Sequence, residues 1–538
     1  MKISKHIFWH LALFSVAVCF GEHSWYFLLL TAAQLIFVPL VLHLVTEKNS
    51  WFARVYPYIA YPAFFAIVML HVTEQTKWDA GLAGIYLGFT IVVSLYGFTR
   101  FFKRGFAYLE ECSIDLGMMY LWIGGAWYFA HEANLETGFS PIIRWLTGIH
   151  FHYSSFLLLI FAGFLGRRIQ QSPLYKLVCG VIFVSPIMVA LGITFSRWLE
   201  LVSVLFYIVG IYGLIYLSFR EKFANHFQRW AIRSSFSAVG ISILFSLIYA
   251  LGNVWGAYRI TIDFMIAFHG VTNSVGFAFL GLVGWMSHTP ESHFTGWNFP
   301  MSRIRGGRKT GDELLQQIVD LNKETPKGLV DDVQLFTPDI DLSLLAPTIS
   351  DFYQHTERYR LIAKVRWSLW FYPFAFIYRF FSRRFQQLNL PISSKPVEMV
   401  GNLSPILEEL DGRREPRAWL RKMGEETVFV ALYSYYQSQS QGRTYMNIAL
   451  PLPGSAMIGI LEWKQMGRDL QITSEASTPS SDSGIYLTWK KSTWKLPLRE
   501  QFWVREVEPG RLEADHKMWI FGIPFLRVEY EIKSNYGK

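Results

Sequence analysis

Long apolar runs dominate the first 290 residues of this 538-residue chain and constrain its fold more than any other feature. A helix that crosses a bilayer needs about 20 mostly apolar residues, with about 17–25 tolerated. The pattern predicts a polytopic α-helical membrane domain of about ten transmembrane helices over residues 1–290. The ten candidate stretches are 7–20, 24–45, 53–72, 80–98, 114–130, 149–165, 174–195, 199–219, 234–251 and 261–285.

Charged residues divide the chain into two unlike parts. Residues 1–290 contain 18 Lys and Arg and 12 Asp and Glu, whereas residues 291–538 contain 32 and 29. The first part is typical of a membrane domain and the second of a water-soluble one. The three cysteines all fall in the apolar part, where their spacing indicates neither a disulfide framework nor a metal site.

Lys and Arg in the short loops predict the orientation. With the N-terminus in the cytoplasm, eighteen of these residues fall on inner segments and four on outer loops. Positive charge is enriched on the cytoplasmic side of membrane proteins. We therefore expect the N-terminus and the C-terminal domain to be cytoplasmic.

Polar side chains in the outer halves of the predicted helices are candidates for a substrate or proton pathway, because such groups are costly in lipid. His269 and Asn273 are four residues apart and share a helix face. In a regular helix His150 and Tyr153 also share a face, whereas His152 points about 200° away from His150. The candidate pathway comprises His150, His152, Tyr153, Asp263, His269 and Asn273, and an outer cluster comprises His131, Glu132, Arg197, Glu200 and Asn253.

These residues also have simpler interpretations. The outer cluster could lie among lipid headgroups, and His269 and Asn273 could form hydrogen bonds between helices. His150, His152 and His269 are weak candidates for a metal site, since none of the three stands in an HxxxH or HExxH pattern. An inner acidic group at the start of the fifth predicted helix could form a gate or could be neutralised by nearby basic residues; it comprises Glu110, Glu111 and Asp115.

Two stretches resemble the YndJ-like family of bacterial membrane proteins. They are "HFHYSSF" at 150–156 and "FHGVTNSVGFAFLGLVGW" at 268–285. The resemblance implies a multi-pass protein of the bacterial plasma membrane and directs attention to the histidines and Asn273 in these stretches. It implies no particular reaction, cofactor or cargo.

The C-terminal part begins with a polar basic linker with short helices, predicted over residues 291–360. Its basic run is expected to attract anionic lipid headgroups, and nucleic acid is not expected as a partner because the rest of this part is nearly charge-balanced. Residues 361–390 are dense in aromatic residues and arginine, which predicts an interfacial amphipathic helix. The basic run comprises Arg303, Arg305, Arg308 and Lys309.

Short alternating segments over residues 391–538 predict a cytoplasmic α+β domain with a curved antiparallel β-sheet. Turns are expected at "QMGRD" (465–469) and "EPGR" (508–511), and helices around 403–410 and 416–423. Such a sheet could hold a hydrophobic ligand, although a packed interaction domain is equally consistent with the pattern.

Three functions fit the sequence as a whole. The leading hypothesis is a transporter of a small polar, ionic or lipid-like solute. The alternatives are a membrane-embedded enzyme with an outward-facing metal or acid/base site, and a sensor or scaffold whose cytoplasmic domain binds lipid or protein. No nucleophile-elbow, phosphate-loop or metal motif occurs in the C-terminal part.

Overall fold

The computed structural model describes residues 3–21, 23–169, 172–256, 260–294, 296–439, 441–478, 481–490 and 492–535, without the side chains of residues 3–6. The chain forms two compact units. One comprises Met1–Phe101 and Tyr108–Thr295, and the other comprises Phe102–Ala107 and Gly296–Lys538. The first is helical and the second is built around a β-sheet.

The helical unit follows the apolar runs of the sequence. A helix satisfies its own backbone hydrogen bonds, which is what a lipid environment requires of a spanning segment. The helices are α1 Ile3–Phe20, α2 Phe27–Val45, α3 Trp51–Val72, α4 Asp79–Arg104, α5 Leu109–Glu132, α6 Pro141–Gly166, α7 Pro173–Phe195, α8 Arg197–Arg220, α9 His226–Trp255 and α10 Ile262–Ser287.

The prediction of ten membrane-spanning helices was too high. Within the described residues, eight helices, α2–α4 and α6–α10, are long and apolar enough to cross a membrane. The apolar part of α1 is shorter, at Ile7–Phe20. Helix α5 is long enough but carries several acidic residues, which lower its mean hydropathy.

Helix α6 is the central helix of this unit. Every residue from Phe156 to Gly166 is buried, as expected for a helix that is apolar on all sides. Its start differs from the prediction, because the helix begins at Pro141 instead of residue 149. Ser140 precedes it in an extended conformation and Pro141 occupies the first turn, where proline is favoured. His150 therefore lies in the middle of a long helix and not at its entrance.

The second unit contains a closed antiparallel barrel and not an open curved sheet. Ten strands pair in the order β5-β4-β3-β2-β1-β12-β11-β10-β7-β6, and β6 pairs back with β5. A hairpin of β8 and β9 extends from β6. The strands are β1 Tyr359–Trp367, β2 Val397–Pro405, β3 Arg417–Met423, β4 Glu426–Ser438, β5 Arg443–Leu452, β6 Ser455–Met466, β7 Asp469–Thr473, β8 Gly484–Trp489, β9 Ser492–Lys495, β10 Leu498–Glu508, β11 Arg511–Ile520 and β12 Ile523–Ser534.

In one part of the barrel wall, the inner and the outer faces of the strands are both buried. The alternation of apolar and polar residues that marks a half-exposed strand is therefore weak in this part of the sequence. On β3, Trp419 belongs to the interior cluster, whereas Ala418 and Leu420 pack against Phe299 and Leu314 outside the barrel. Successive side chains of a strand point to opposite faces, so a wall that is covered outside reads as a continuous apolar run.

The structure confirms the turns predicted for the C-terminal part but only a portion of its predicted helices. The predicted turns are confirmed: Gly467 and Gly510 have positive φ between β6 and β7 and between β10 and β11. The helix predicted at 416–423 is wrong, because this segment is β3. At 403–410 the chain forms the end of β2 and then the short helix Glu408–Asp411.

The segment 291–360 is not a simple linker. Its helices α11 Asp312–Ile318 and α12 Pro347–Gln354 contribute buried side chains to the two cores of the barrel unit. Residues 361–390, predicted as one interfacial helix, divide into the end of β1 and the shorter helix α13 Tyr372–Phe385. Buried and more exposed residues alternate along β1, as in a strand that turns one face toward a core.

Candidate functional site

A cavity of about 460 Å³ lies within the helical unit. Residues of α6, α7, α8, α9 and α10, together with Leu29 of α2, line it. Most of the lining is apolar, with polar groups at a few positions, as is typical of small-molecule sites. The polar and charged lining residues are Thr147, His150, Tyr153, Ser154, Ser155, Arg197, Glu200, Tyr207, Ser242, Ser246, Tyr249, Asn253, His269 and Asn273.

Two histidines face each other across this cavity. The ring centroids of His150 on α6 and His269 on α10 are 6.2 Å apart. Nδ1 of His150 lies 2.6 Å from the carbonyl oxygen of Leu146, and Nδ1 of His269 lies 3.0 Å from that of Ser242. A carbonyl only accepts hydrogen bonds, so each Nδ1 carries a proton and Nε2 is the basic atom of the neutral ring. The pair thus brings two imidazole acceptors to one space.

His152 belongs to a different environment. Its side chain is fully buried, with Nε2 2.7 Å from the hydroxyl of Tyr86 and Nδ1 2.8 Å from the carbonyl oxygen of Gly148. The neighbouring helix approaches closely here, since a Cβ on Gly124 would lie 2.8 Å from Nδ1 of His152. Both ring nitrogens are engaged on the side of α6 away from the cavity, so His152 serves packing and does not join His150.

Tyr153 and Asn273 link lining helices to one another. The Tyr153 hydroxyl donates to the carbonyl oxygen of Leu29 at 2.6 Å, and its oxygen lies 3.0 Å from Ser274 Oγ. The Ser242 hydroxyl donates to Asn273 Oδ1 at 2.8 Å. These contacts connect α6 to α2 and α10, and they connect α9 to α10.

Part of the predicted outer cluster also lines the cavity. Asn253 Nδ2 donates to both carboxylate oxygens of Glu200 at 3.4 Å, and Arg197 donates to the carbonyl oxygen of Asn253 at 3.2 Å. This group joins α8 to the end of α9.

The other predicted outer residues lie elsewhere. His131 Nδ1 contacts the carbonyl oxygen of Pro141 at 3.0 Å, at the end of α5. Neither His131 nor Glu132 lines the cavity, and Asp263 is exposed at the start of α10, outside the lining.

Asn253 was predicted from the sequence as a site residue, but the polar face of α9 to which it belongs was not. Ser242, Ser246, Tyr249 and Asn253 all line the cavity and are spaced four, three and four residues apart. This spacing places them on one helix face and was readable in the sequence. Hydroxyl side chains also occur in membrane helices where helices only pack against each other, so this spacing by itself does not indicate a site.

Two lining helices contain π-helical segments beside the polar residues. They are Phe151–Leu157 in α6, and Met265–Gly270 and Thr272–Phe279 in α10. A π-helical turn loosens the regular backbone ladder and is frequent at functional sites.

The inner acidic group is largely neutralised by arginines. Arg100 contacts both Asp115, at 2.8 Å, and Glu111, at 3.0 Å, while Arg167 contacts Glu111 at 2.7 Å. All four side chains are buried. Glu110 stands apart and lies 3.9 Å from His293 Nδ1.

The donor set offers little to a metal ion. Among the residues that the structure describes, no group of three or more His, Cys, Asp or Glu is arranged to hold one. Of the three weak metal candidates, His150 and His269 are brought together and His152 is turned away.

Comparison with known proteins agrees with the helical architecture. The family model described as "YndJ-like protein" matches residues 28–277. The chain is 40% identical over 475 residues to the "Uncharacterized membrane protein YndJ" of Bacillus subtilis (strain 168), which covers 87% of this chain and 86% of the relative. No solved structure matches the chain. The apolar helices and this extent of identity show that the chain is an integral membrane protein and that it belongs to the YndJ-like family.

Proposed function

We propose that the helical unit is a transporter that takes a small polar or ionic solute into the 460 Å³ cavity. The observation that carries this proposal is the convergence of His150 from α6, His269 and Asn273 from α10, and Glu200 from α8 on one cavity. Polar groups from several helices are costly at such a place unless they serve a solute or pair with each other. The π-helical turns of α6 and α10 supply backbone that can change register between inward-open and outward-open states.

The enzyme alternative has less support. A reaction would need a nucleophile, a base and an orienting group within hydrogen-bond reach of each other. The two imidazoles are 6.2 Å apart and each Nδ1 contacts a backbone carbonyl, which suits binding and proton exchange better than activation of a nucleophile.

Access to the cavity distinguishes these functions. In a variant without the native cysteines, we expect Ser246→Cys to react with a membrane-impermeant thiol reagent, both from outside in intact cells and from inside in inverted vesicles. Transport requires that one site open alternately to both sides, whereas an enzyme pocket or a scaffold does not.

The matched control is Ser235→Cys on the same helix. Ser235 is 1% exposed, lies outside the cavity and donates to the carbonyl oxygen of Phe277, so it should stay unlabelled. His269→Gln should alter the labelling rate of Ser246→Cys, because Ser246 Oγ lies 3.4 Å from Nδ1 of His269. Labelling from one side only would contradict transport.

We further propose that the protein resides in the bacterial plasma membrane with its N-terminus and C-terminal unit in the cytoplasm. Arg303, Arg308 and Lys309 are exposed and would attract anionic headgroups there, while Arg305 is half-buried. Helix α13 would lie at the membrane surface: Phe374, Phe376 and Phe380 are 58–73% exposed, whereas only small side chains, Ala375 and Ser382, are buried.

The barrel is proposed to hold a small hydrophobic ligand. Its interior contains a second cavity of about 50 Å³, lined almost wholly by apolar and aromatic side chains. At this volume the cavity suits a short chain and excludes a long acyl chain in the present side-chain arrangement.

A further inference from the structure

The interior of the β-barrel contains one arginine in otherwise apolar surroundings. Arg421 on β3 is 6% exposed and lines the 50 Å³ cavity. It is two residues from Trp419 and points to the same inner face, because alternate residues of a strand share a face. Among the described residues that line this cavity, Arg421 is the one with a charge.

Aromatic rings surround the guanidinium group of Arg421. Its central carbon lies 3.8 Å from the ring centroid of Trp419 and 4.2 Å from that of Phe429. Nη1 is 3.5 Å from the hydroxyl of Tyr530, and buried Nε has no hydrogen-bond partner. Tyr433 is a second tyrosine that forms a side-chain hydrogen bond with Arg421. Stacking satisfies the faces of the guanidinium plane, and along its edge the two tyrosines contact the group while the Nε donor stays unpaired.

Other buried arginines of this unit are paired with carboxylates. Arg413 contacts Asp411 at 2.6 and 3.0 Å, and Arg417, on the same strand as Arg421, pairs with Asp331. In the part of the chain that the structure describes, no carboxylate lies within 4.0 Å of Arg421. A buried guanidinium without an anion is strongly disfavoured, so its position is explained by an anionic ligand.

The surroundings define the class of that anion. A single positive charge balances a monoanion, whereas phosphate would leave net negative charge among apolar side chains such as Leu461, Ile472 and Val504. A carboxylate matches the planar edge of the guanidinium with two parallel hydrogen bonds. The space beside Arg421 leaves room for a chain of a few carbons.

We propose that the barrel binds a short-chain aliphatic monocarboxylate, with its carboxylate on Arg421 and its chain among the apolar lining residues. This inference rests on the proposed hydrophobic ligand of the barrel and specifies its polar end. Tyr530 would donate its hydroxyl to the same carboxylate, since it already adjoins Nη1.

Ligand-observed NMR titration of the purified full-length chain in phosphatidylcholine nanodiscs tests the proposal, with butanoate, butan-1-ol and inorganic phosphate as probes. We expect butanoate to bind at one site per chain and more tightly than butan-1-ol or phosphate. Arg421→Met should weaken butanoate at least about tenfold, about 1.4 kcal/mol, and leave butan-1-ol nearly unchanged.

Two further variants keep the result interpretable if Arg421→Met unfolds. Arg499→Met removes an arginine that stacks on Trp519 at 4.2 Å on the barrel exterior, and it should bind butanoate like the unsubstituted chain. Ala514→Phe fills the cavity while retaining Arg421, and it should abolish binding of both butanoate and butan-1-ol.

The outcomes separate the two proposals. Equal affinity for butanoate and butan-1-ol, both lost in Ala514→Phe, would overturn the carboxylate inference and leave the hydrophobic ligand standing. Binding that survives Ala514→Phe would place the ligand outside the barrel and contradict both. Preference for phosphate over butanoate would overturn the assignment of an aliphatic monocarboxylate.

Discussion

Among individual residues, Arg100, Glu111, Asp115 and Arg167 of the helical unit form a compensated set of buried charges. Glu111 accepts from both Arg100 and Arg167, and Asp115 accepts from Arg100. Arg100 and Arg167 also donate to backbone carbonyls of Val45 and Pro290. Burying any one of these charges without a partner is unfavourable. Removing one member of the network therefore leaves another charge buried and unpaired, which destabilises the folded protein.

Glu111→Gln should therefore destabilise the helical unit by about 3–5 kcal/mol, because two buried guanidinium groups lose their shared carboxylate. The expected result is a lower midpoint of thermal unfolding for the purified protein in detergent. Glu110→Gln is the matched control: Glu110 is adjacent, 15% exposed, and outside the network, and its effect should be small. Equal effects of the two substitutions would show that the network adds no stability.

At the scale of elements, strand β6 holds the barrel together. Its first half pairs with β5 and β8 and its second half with β7. Glu462 lies between these halves and is completely buried, with Arg443 of β5 at 2.9 Å and Lys464 at 3.5 Å. The hydroxyls of Ser477 and Ser481 donate to its carboxylate. A buried carboxylate thus links a loop to the strand that closes the barrel.

The stability of the barrel should depend on pH through Glu462. Burial alone would raise the pKa of Glu462, but hydrogen bonds from Ser477 and Ser481 and the charge of Arg443 outweigh it and hold the pKa below its ordinary 4.5. Because the folded pKa is depressed, the stabilisation is fully present above pH 4.5 and is lost as pH falls through the folded pKa.

Urea unfolding of the full chain at graded pH measures this contribution. The stability difference between the unsubstituted chain and Glu462→Gln should be largest near pH 6–7 and should shrink as pH decreases below about 4.5. Glu475→Gln, at a carboxylate that is 54% exposed, serves as the control with little effect. A difference that stays constant down to pH 3 would contradict the assignment.

At the scale of the whole molecule, the chain joins an integral membrane domain to a closed barrel. The excess of Lys and Arg on alternate loops would place this barrel in the cytoplasm. That orientation would also decide whether the external medium or the cytoplasm supplies the ligand proposed for each cavity.

Single cysteines at Gly138 and Lys309 test the orientation. In intact cells an impermeant thiol reagent should label Gly138→Cys, between α5 and α6, and should label Lys309→Cys only after the cells are opened. The reason is that positively charged segments are retained on the cytoplasmic side during insertion. Labelling of Lys309→Cys in intact cells would invert the topology and remove the support for cytoplasmic lipid contacts.

Features that depend on local periodicity and charge could be predicted from the amino-acid sequence. The apolar runs located the helices, and the opposite directions of His150 and His152 followed from helix geometry. Alternation over residues 391–538 indicated antiparallel strands, and the sequence around Gly467 and Gly510 indicated two of their turns. These properties depend on neighbours within a few residues, so they can be derived without knowing the fold.

Contacts between residues far apart in the chain could not be predicted and were seen only in the folded protein. The tertiary structure brought His150 next to His269, more than one hundred residues away, and directed His152 toward Tyr86. It closed the sheet through the pairing of β5 with β6 and placed Arg421 in the lumen without a carboxylate partner. Contacts of this kind arise from packing between elements, and the local pattern of a helix or strand contains no information about the partner that will cover it.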